Sequence, residues 1–126
     1  MGFDDAVLKC LSKYASFNGR ARLSEFWWFM TVYFSAPLLT MIALPLSTEL
    51  ASAGVLVTAI LTPPAIAATV RRLHDIGASG WMLVFLIPVA GQILTLAWLA
   101  RPGVRRLNRF GPEPEQAAAR YLLYAR

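Results

Sequence analysis

The sequence predicts an all-α, polytopic membrane protein with about three transmembrane helices and a short N-terminal amphipathic helix, in a single domain over residues 1–126. Three observations predict it. Hydrophobic residues make up 57% of the chain and charged residues 15%, whereas soluble domains carry roughly a quarter charged residues. Residues 26–48, 50–70 and 76–100 contain no Asp, Glu, Lys or Arg. Each run is long enough to cross a hydrocarbon core of about 30 Å as a helix rising about 1.5 Å per residue. Aromatic residues collect at run boundaries, with Phe26, Trp27, Trp28 and Phe29 at the first and Trp81 and Trp98 flanking the third, as rings do at the headgroup level. The expected spans are 26–47, 50–71 and 80–100.

The first element is DDAVLKCLSKYASF, residues 4–17, where Val7, Leu8, Leu11 and Tyr14 recur at helical spacing with Lys9 and Lys13 between them. Asp4 is expected to cap the first amides and Asp5 to favour the positive end of the helix dipole. A helix this short needs a surface to lie on, either the membrane boundary or the protein's own spans. Cys10 is the sole cysteine, so neither an internal disulfide nor a cysteine metal cluster is available, and a small apolar residue on a helix face is the expected role. The charges among the first 25 residues, and the length of the apolar run behind them, speak against a cleavable signal. The first span is expected to stay in the mature protein.

Asn18-Gly19 signals a turn, and Ser24 is expected to cap the first span, with Glu25 in its opening turn. Pro37 should bend that span, and Pro45 should lie near its far end. The few residues before Glu49 demand a tight antiparallel hairpin. Span two is rich in small and branched residues, which permit close helix approach, and Thr62-Pro63-Pro64 interrupts its amide ladder. Ser79 is a plausible cap for the third span, which carries Pro88 and Gln92 in its middle. Pro112 and Pro114 prevent its continuation, and residues 115–126 suit a surface helix.

Lys and Arg cluster before span one and after span two, while the link between those spans carries only Glu49. The positive-inside rule therefore places the amino terminus and the seam RRLHDIGASG, residues 71–80, in the cytoplasm. A third full crossing would put Arg101, Arg105, Arg106 and Arg109 outside, against that rule. The run crosses once, which is the simpler reading, or it folds back around residues 88–91 and returns the tail to the cytoplasm.

In the latter case NGRARLSE, RRLHD and NRFG meet at one surface. Arg71 and Asp75 stand four apart and are expected to pair along a helix face, with His74 near the same side. The candidate site is the cluster Arg20, Arg22, Glu25, Arg71, Arg72, His74, Asp75, Asn108 and Arg109. Arginine forks suit phosphate and carboxylate groups, so the cluster points to anionic phospholipids, another membrane protein or a second copy. The bland reading is a salt-bridged loop that fixes topology. The net charge of +5 suits lipid headgroups, and no nucleic-acid partner is expected.

No reaction is assigned. His74 is the only histidine and has no nucleophile paired with it by spacing, and no phosphate-loop glycine pattern occurs. Neither a cofactor nor a metal is expected, and a non-enzymatic role is favoured. The alternative is a small oligomeric transporter or channel component, suggested by Pro63-Pro64, Pro88 and Gln92. Three short spans cannot enclose a polar path alone.

The ordered motifs FNGRARLSEFWWF, RRLHDIGASGW and NRFGPEP, separated by apolar spans, resemble the DUF805 family of small bacterial inner-membrane proteins. The resemblance runs from about residue 17 to 114. It implies a signature at Gly19, Arg20, Arg22, Glu25, Phe26 and Trp27, then at Arg71, Arg72, Leu73, His74, Asp75, Gly77, Ser79, Gly80 and Trp81, and lastly at Asn108, Arg109, Phe110 and Gly111. Members often have two aromatics where this chain has Trp81-Met82. The resemblance implies a bacterial inner-membrane location and supplies no mechanism.

Overall fold

The computed structural model describes residues 2–86 and 89–124. Helix α1, Phe3–Ser12, buries Ala6 and Cys10, one turn apart on a single face, against α2 and α3. It begins with Gly2 in the N-cap position and makes no side-chain cap bond, so Asp4 and Asp5 both lie in the first turn. The Asp4 cap is thereby corrected: starting the helix at Phe3 leaves both carboxylates to act on the dipole. Phe3 meets Trp28 edge-on, with ring centroids 5.7 Å apart.

Helix α2, Leu23–Ala43, has Arg22 in the N-cap position, and the expected Ser24 cap is corrected in the same way, since Ser24 is already helical. At about 1.5 Å per residue its length is roughly 31 Å, enough for one crossing. Ser47 accepts a bond from the Leu50 amide at 3.3 Å and opens α3, Thr48–Asp75. α3 measures about 42 Å by the same rise, so it outruns a hydrocarbon core by two turns. Its last turns carry Arg71 to Asp75. Both helices are long and apolar enough to cross a membrane. They approach closely where Gly54 faces Thr40, whose hydroxyl occupies the place a Cβ would take.

α3 stays helical through Pro63-Pro64. A proline at position 64 has no amide to offer the Ile60 carbonyl, and that carbonyl accepts the Tyr14 hydroxyl. The break in the ladder is thus sealed by the segment that follows α1.

The third apolar run departs from one continuous span. It forms a 3-10 segment, Gly80–Leu86, and an 11-residue helix α4, Val89–Leu99. Neither piece exceeds about 17 Å at rises of roughly 2.0 and 1.5 Å per residue, half the membrane core. Gly80 lies against Val70 and His74, and at the other end the Leu99 carbonyl accepts a bond from Arg72 at 3.0 Å. Both ends of the run therefore meet the same end of α3. The run is thus two short helical pieces that pack on each other and on α3, the arrangement the fold-back alternative expects, rather than one continuous helix. Pro88, where the turn was expected, lies outside the described residues; Gly91 lies within α4.

The core sits where these ends converge, built from Cys10, Phe26, Phe29, Met30, Ala65, Ala68, Leu73 and Leu99. Pro114 opens α5, Pro114–Tyr124, a position where its missing amide costs nothing. This helix corresponds to the expected surface helix, whose final residue Arg126 lies outside the described residues.

Candidate functional site: the arginine hub at the end of helix α3

The last four carbonyls of a helix have no partner within it, and following those of α3 reveals the site. Gly77 adopts φ 78°, and the amides of Ile76, Ala78 and Gly77 bond the carbonyls of Arg72, Leu73 and His74. The Ala78-to-Leu73 and Gly77-to-His74 bonds are the two closures of a Schellman motif, which needs a left-handed residue at position 77. The remaining demands are met from far along the chain. Asn108 Nδ2 donates to the His74 carbonyl at 2.9 Å, and the Val104 amide donates to the Asp75 carbonyl at 2.9 Å. The Ala21 amide donates to the Arg71 carbonyl at 3.1 Å.

Arginine side chains complete the junction. Arg20 donates through Nε to Asp75 Oδ1 at 2.8 Å and through Nη1 to the Arg106 carbonyl at 2.8 Å. It also reaches the Val104 carbonyl. Arg72 donates to the other Asp75 oxygen and to the carbonyls of Leu99, Ala21 and Arg101. Two guanidinium groups thus share one carboxylate, and the surplus positive charge faces carbonyls at the negative ends of α3 and α4, where cations are favoured. Arg20, Arg72 and Asp75 are all buried. Gly103 is required here because the Asp75 carboxylate fills the position of its absent Cβ.

Arg71 turns the other way. Its Nη2 lies 3.6 Å from Glu25 Oε1, and the Lys9 ammonium lies 2.8 Å from Glu25 Oε2. This chain of charges fastens α1 to α2 and α3. The expected Arg71–Asp75 pair is corrected, since Asp75 engages Arg72, three residues back, and Arg20 instead. Cys10 sits beside Glu25 and Arg71. Burial, and then the neighbouring Glu25 carboxylate, push its thiol up to about 11.

His74 receives the tail. Its Nδ1 is 3.1 Å from the Gly19 carbonyl, and its ring stacks on Phe110 with centroids 3.8 Å apart and planes 4° from parallel. Asn108 Oδ1 accepts the Phe110 amide at 2.9 Å, and Asn108 and Gly111 exchange backbone bonds. The motif NRFG is therefore a tight turn that docks onto α3, with Arg109 lying over the Phe110 ring at 4.6 Å. At the start of the 3-10 segment, Ser79 Oγ accepts the Trp81 amide at 3.4 Å, as expected of a cap.

Of the residues singled out from sequence, Arg20, Arg72, His74, Asp75 and Asn108 converge directly, Glu25 and Arg71 form the adjoining pair, and Arg109 covers the tail turn. Arg22 stands apart, half-buried on the rim of a polar groove of about 370 Å³. Arg105, Glu113 and Glu115 share that groove. Gln92 is exposed on α4. Sequence reasoning passed over Lys9 as a partner of Glu25, Gly103, and the carbonyl acceptors between Leu99 and Arg106. Only Lys9 carried a usable signal, the helical spacing that places it one residue from the buried Cys10.

Comparison with known proteins matches residues 14–112 to the family described as "Protein of unknown function (DUF805)". The inner membrane protein YhaI of Escherichia coli (strain K12) is 34% identical over 110 residues, covering 86% of this chain and 93% of the relative. The inner membrane protein YhaH of the same strain is 36% identical over 117 residues, covering 88% and 97%. The uncharacterized protein YiiR is 37% identical over 101 residues, covering 77% and 67%. No solved structure matches the chain.

Proposed function

The chain belongs to the DUF805 family, and on that premise we propose that it is a non-enzymatic inner-membrane protein whose polar end faces the cytoplasm and holds phospholipid headgroups through their phosphate. Two relatives are inner membrane proteins by name, and α2 and α3 have the length and apolarity for crossing. The orientation follows from charge. With both ends of the third run at one end of α3, Arg101, Arg105, Arg106 and Arg109 join Lys9, Lys13, Arg20 and Arg22 there, while the opposite end carries Glu49. That asymmetry favours the basic end inside.

The observation carrying the headgroup reading is a division of labour among the arginines. Arg20 and Arg72 are buried and directed at protein acceptors, and buried Arg71 faces Glu25 through Nη2 while its Nε and Nη1 meet no acceptor among the described residues. Arg22 and Arg105 line the polar groove, and among the described residues neither makes an ion pair. Planar guanidinium groups at the headgroup level are matched to phosphate oxygens. Native mass spectrometry of the detergent-solubilised protein tests this. Arg22→Gln with Arg105→Gln should lower retained phospholipid several-fold at unchanged helicity, and wild-type retention in the double variant would refute the reading.

A further inference from the structure

We propose that the groove beside the hub selects a zwitterionic phosphoethanolamine headgroup rather than a purely anionic one. The inference rests on the headgroup reading above and names the lipid class. The groove's charged rim carries both signs: Arg22 and Arg105 supply cations, and Glu113 and Glu115 supply carboxylates. Among the described residues none of these four forms an ion pair, with each other or elsewhere. By contrast, Arg20, Arg72 and Asp75 in the groove's inner wall are locked together. Opposite charges that share one cavity yet stay separate present two poles. A ligand carrying a phosphate and an ammonium a few bonds apart satisfies both at once.

Placement and size agree with this occupant. Leu23, at the start of α2, also lines the groove, and Trp27 and Trp28 follow it where the chain enters the apolar run. The groove therefore lies at headgroup depth. Its volume of about 370 Å³ falls within the range of roughly 300–1,000 Å³ typical of small-molecule sites. A primary ammonium brings N–H donors to Glu113 and Glu115 that a trimethylammonium lacks, and an anionic glycerol headgroup brings no cation at all. Phosphatidylglycerol would leave both glutamates facing a like charge.

The test uses the full chain in vesicles of equal phosphatidylethanolamine, phosphatidylglycerol and phosphatidylcholine with matched acyl chains. After mild detergent extraction, lipids retained on the folded protein are counted by native mass spectrometry. The wild type should retain phosphatidylethanolamine at least threefold over each of the others. Glu113→Gln with Glu115→Gln should abolish that preference while total retention persists, and Arg22→Gln with Arg105→Gln should lower retention of all three. Equal retention by the wild type, enrichment of phosphatidylglycerol, or a phosphatidylethanolamine preference that survives the glutamate variant would overturn the zwitterion assignment and leave the phosphate reading intact. Absence of retained phospholipid in the wild type would overturn both. Circular dichroism and membrane insertion, measured alongside, confirm that each variant has folded, and all four residues lie outside the packed core.

Discussion

Asp75 accepts from two guanidinium groups inside a buried junction. Asp75→Asn keeps the shape and removes the charge, leaving Arg20 and Arg72 buried without a counter-ion. Losing one partner of a buried pair costs about 3–5 kcal/mol, and unfolding in mixed micelles should show a fall of that order. A loss below about 1 kcal/mol would mean that the carbonyls alone hold the arginines. Cys10 gives a second residue-scale expectation. Its thiol pKa is raised, so its contribution to stability is full below the unfolded value and is lost as pH climbs through about 11. Maleimide labelling of the folded protein should therefore rise only as pH approaches 11, whereas a profile centred near the ordinary thiol value would contradict the burial. The composition of this hub was legible in the sequence, because arginines and asparagines in three separated motifs pointed to one surface. Its pairing was not. Helical spacing offered Asp75 to Arg71, but the hub's acceptors include backbone carbonyls at Leu99, Arg101, Val104 and Arg106, and a carbonyl has no letter in a sequence.

Helix α3 stays continuous through two prolines because its neighbours absorb the loss. Tyr14 supplies the donor that Pro64 withholds from Ile60, so the two residues should be coupled. Tyr14→Phe is expected to cost about 1 kcal/mol, and far less in a Pro64→Ala background, where a backbone amide can take the hydroxyl's place. Additive effects in that double-mutant cycle would show that the contact carries no energy. Gly54 makes the parallel case for the hairpin. Gly54→Ala should cost about 1–3 kcal/mol through overpacking against Thr40, and Thr40→Ala should recover most of it, since the threonine hydroxyl is the nearest obstruction. Elements were legible where apolar length and aromatic boundaries decide, as in α2 and α3. Helix starts were less so, because Gly2 and Arg22 take the cap positions that Asp4 and Ser24 suggested. Composition also could not distinguish a crossing from a fold-back in the third run, since both bury the same apolar residues.

At the scale of the whole molecule, two membrane-length helices carry a third apolar run broken into two short pieces, and Arg20, Arg71, Arg72, Arg101, Arg105, Arg106 and Arg109 gather at one end. The backbone carbonyls of Arg101 and Arg106 accept the Arg72 and Arg20 guanidinium groups, and Arg109 lies over Phe110, so the arginines that would violate the positive-inside rule after a third crossing lie beside the basic end of α3. The hub, the groove and the proposed orientation all depend on residues 101–111 returning to the end of α3. The most direct measurement is cysteine accessibility in a Cys10→Ser background, with single cysteines at Ser12, Glu49, Ser79 and Gln116 labelled by an impermeant reagent from either face of the membrane. The positions of Ser12, Ser79 and Gln116 should label from the cytoplasmic face and that of Glu49 from the opposite one. Labelling of the Gln116 position together with Glu49, and opposite to Ser12, would establish a third crossing and contradict that return.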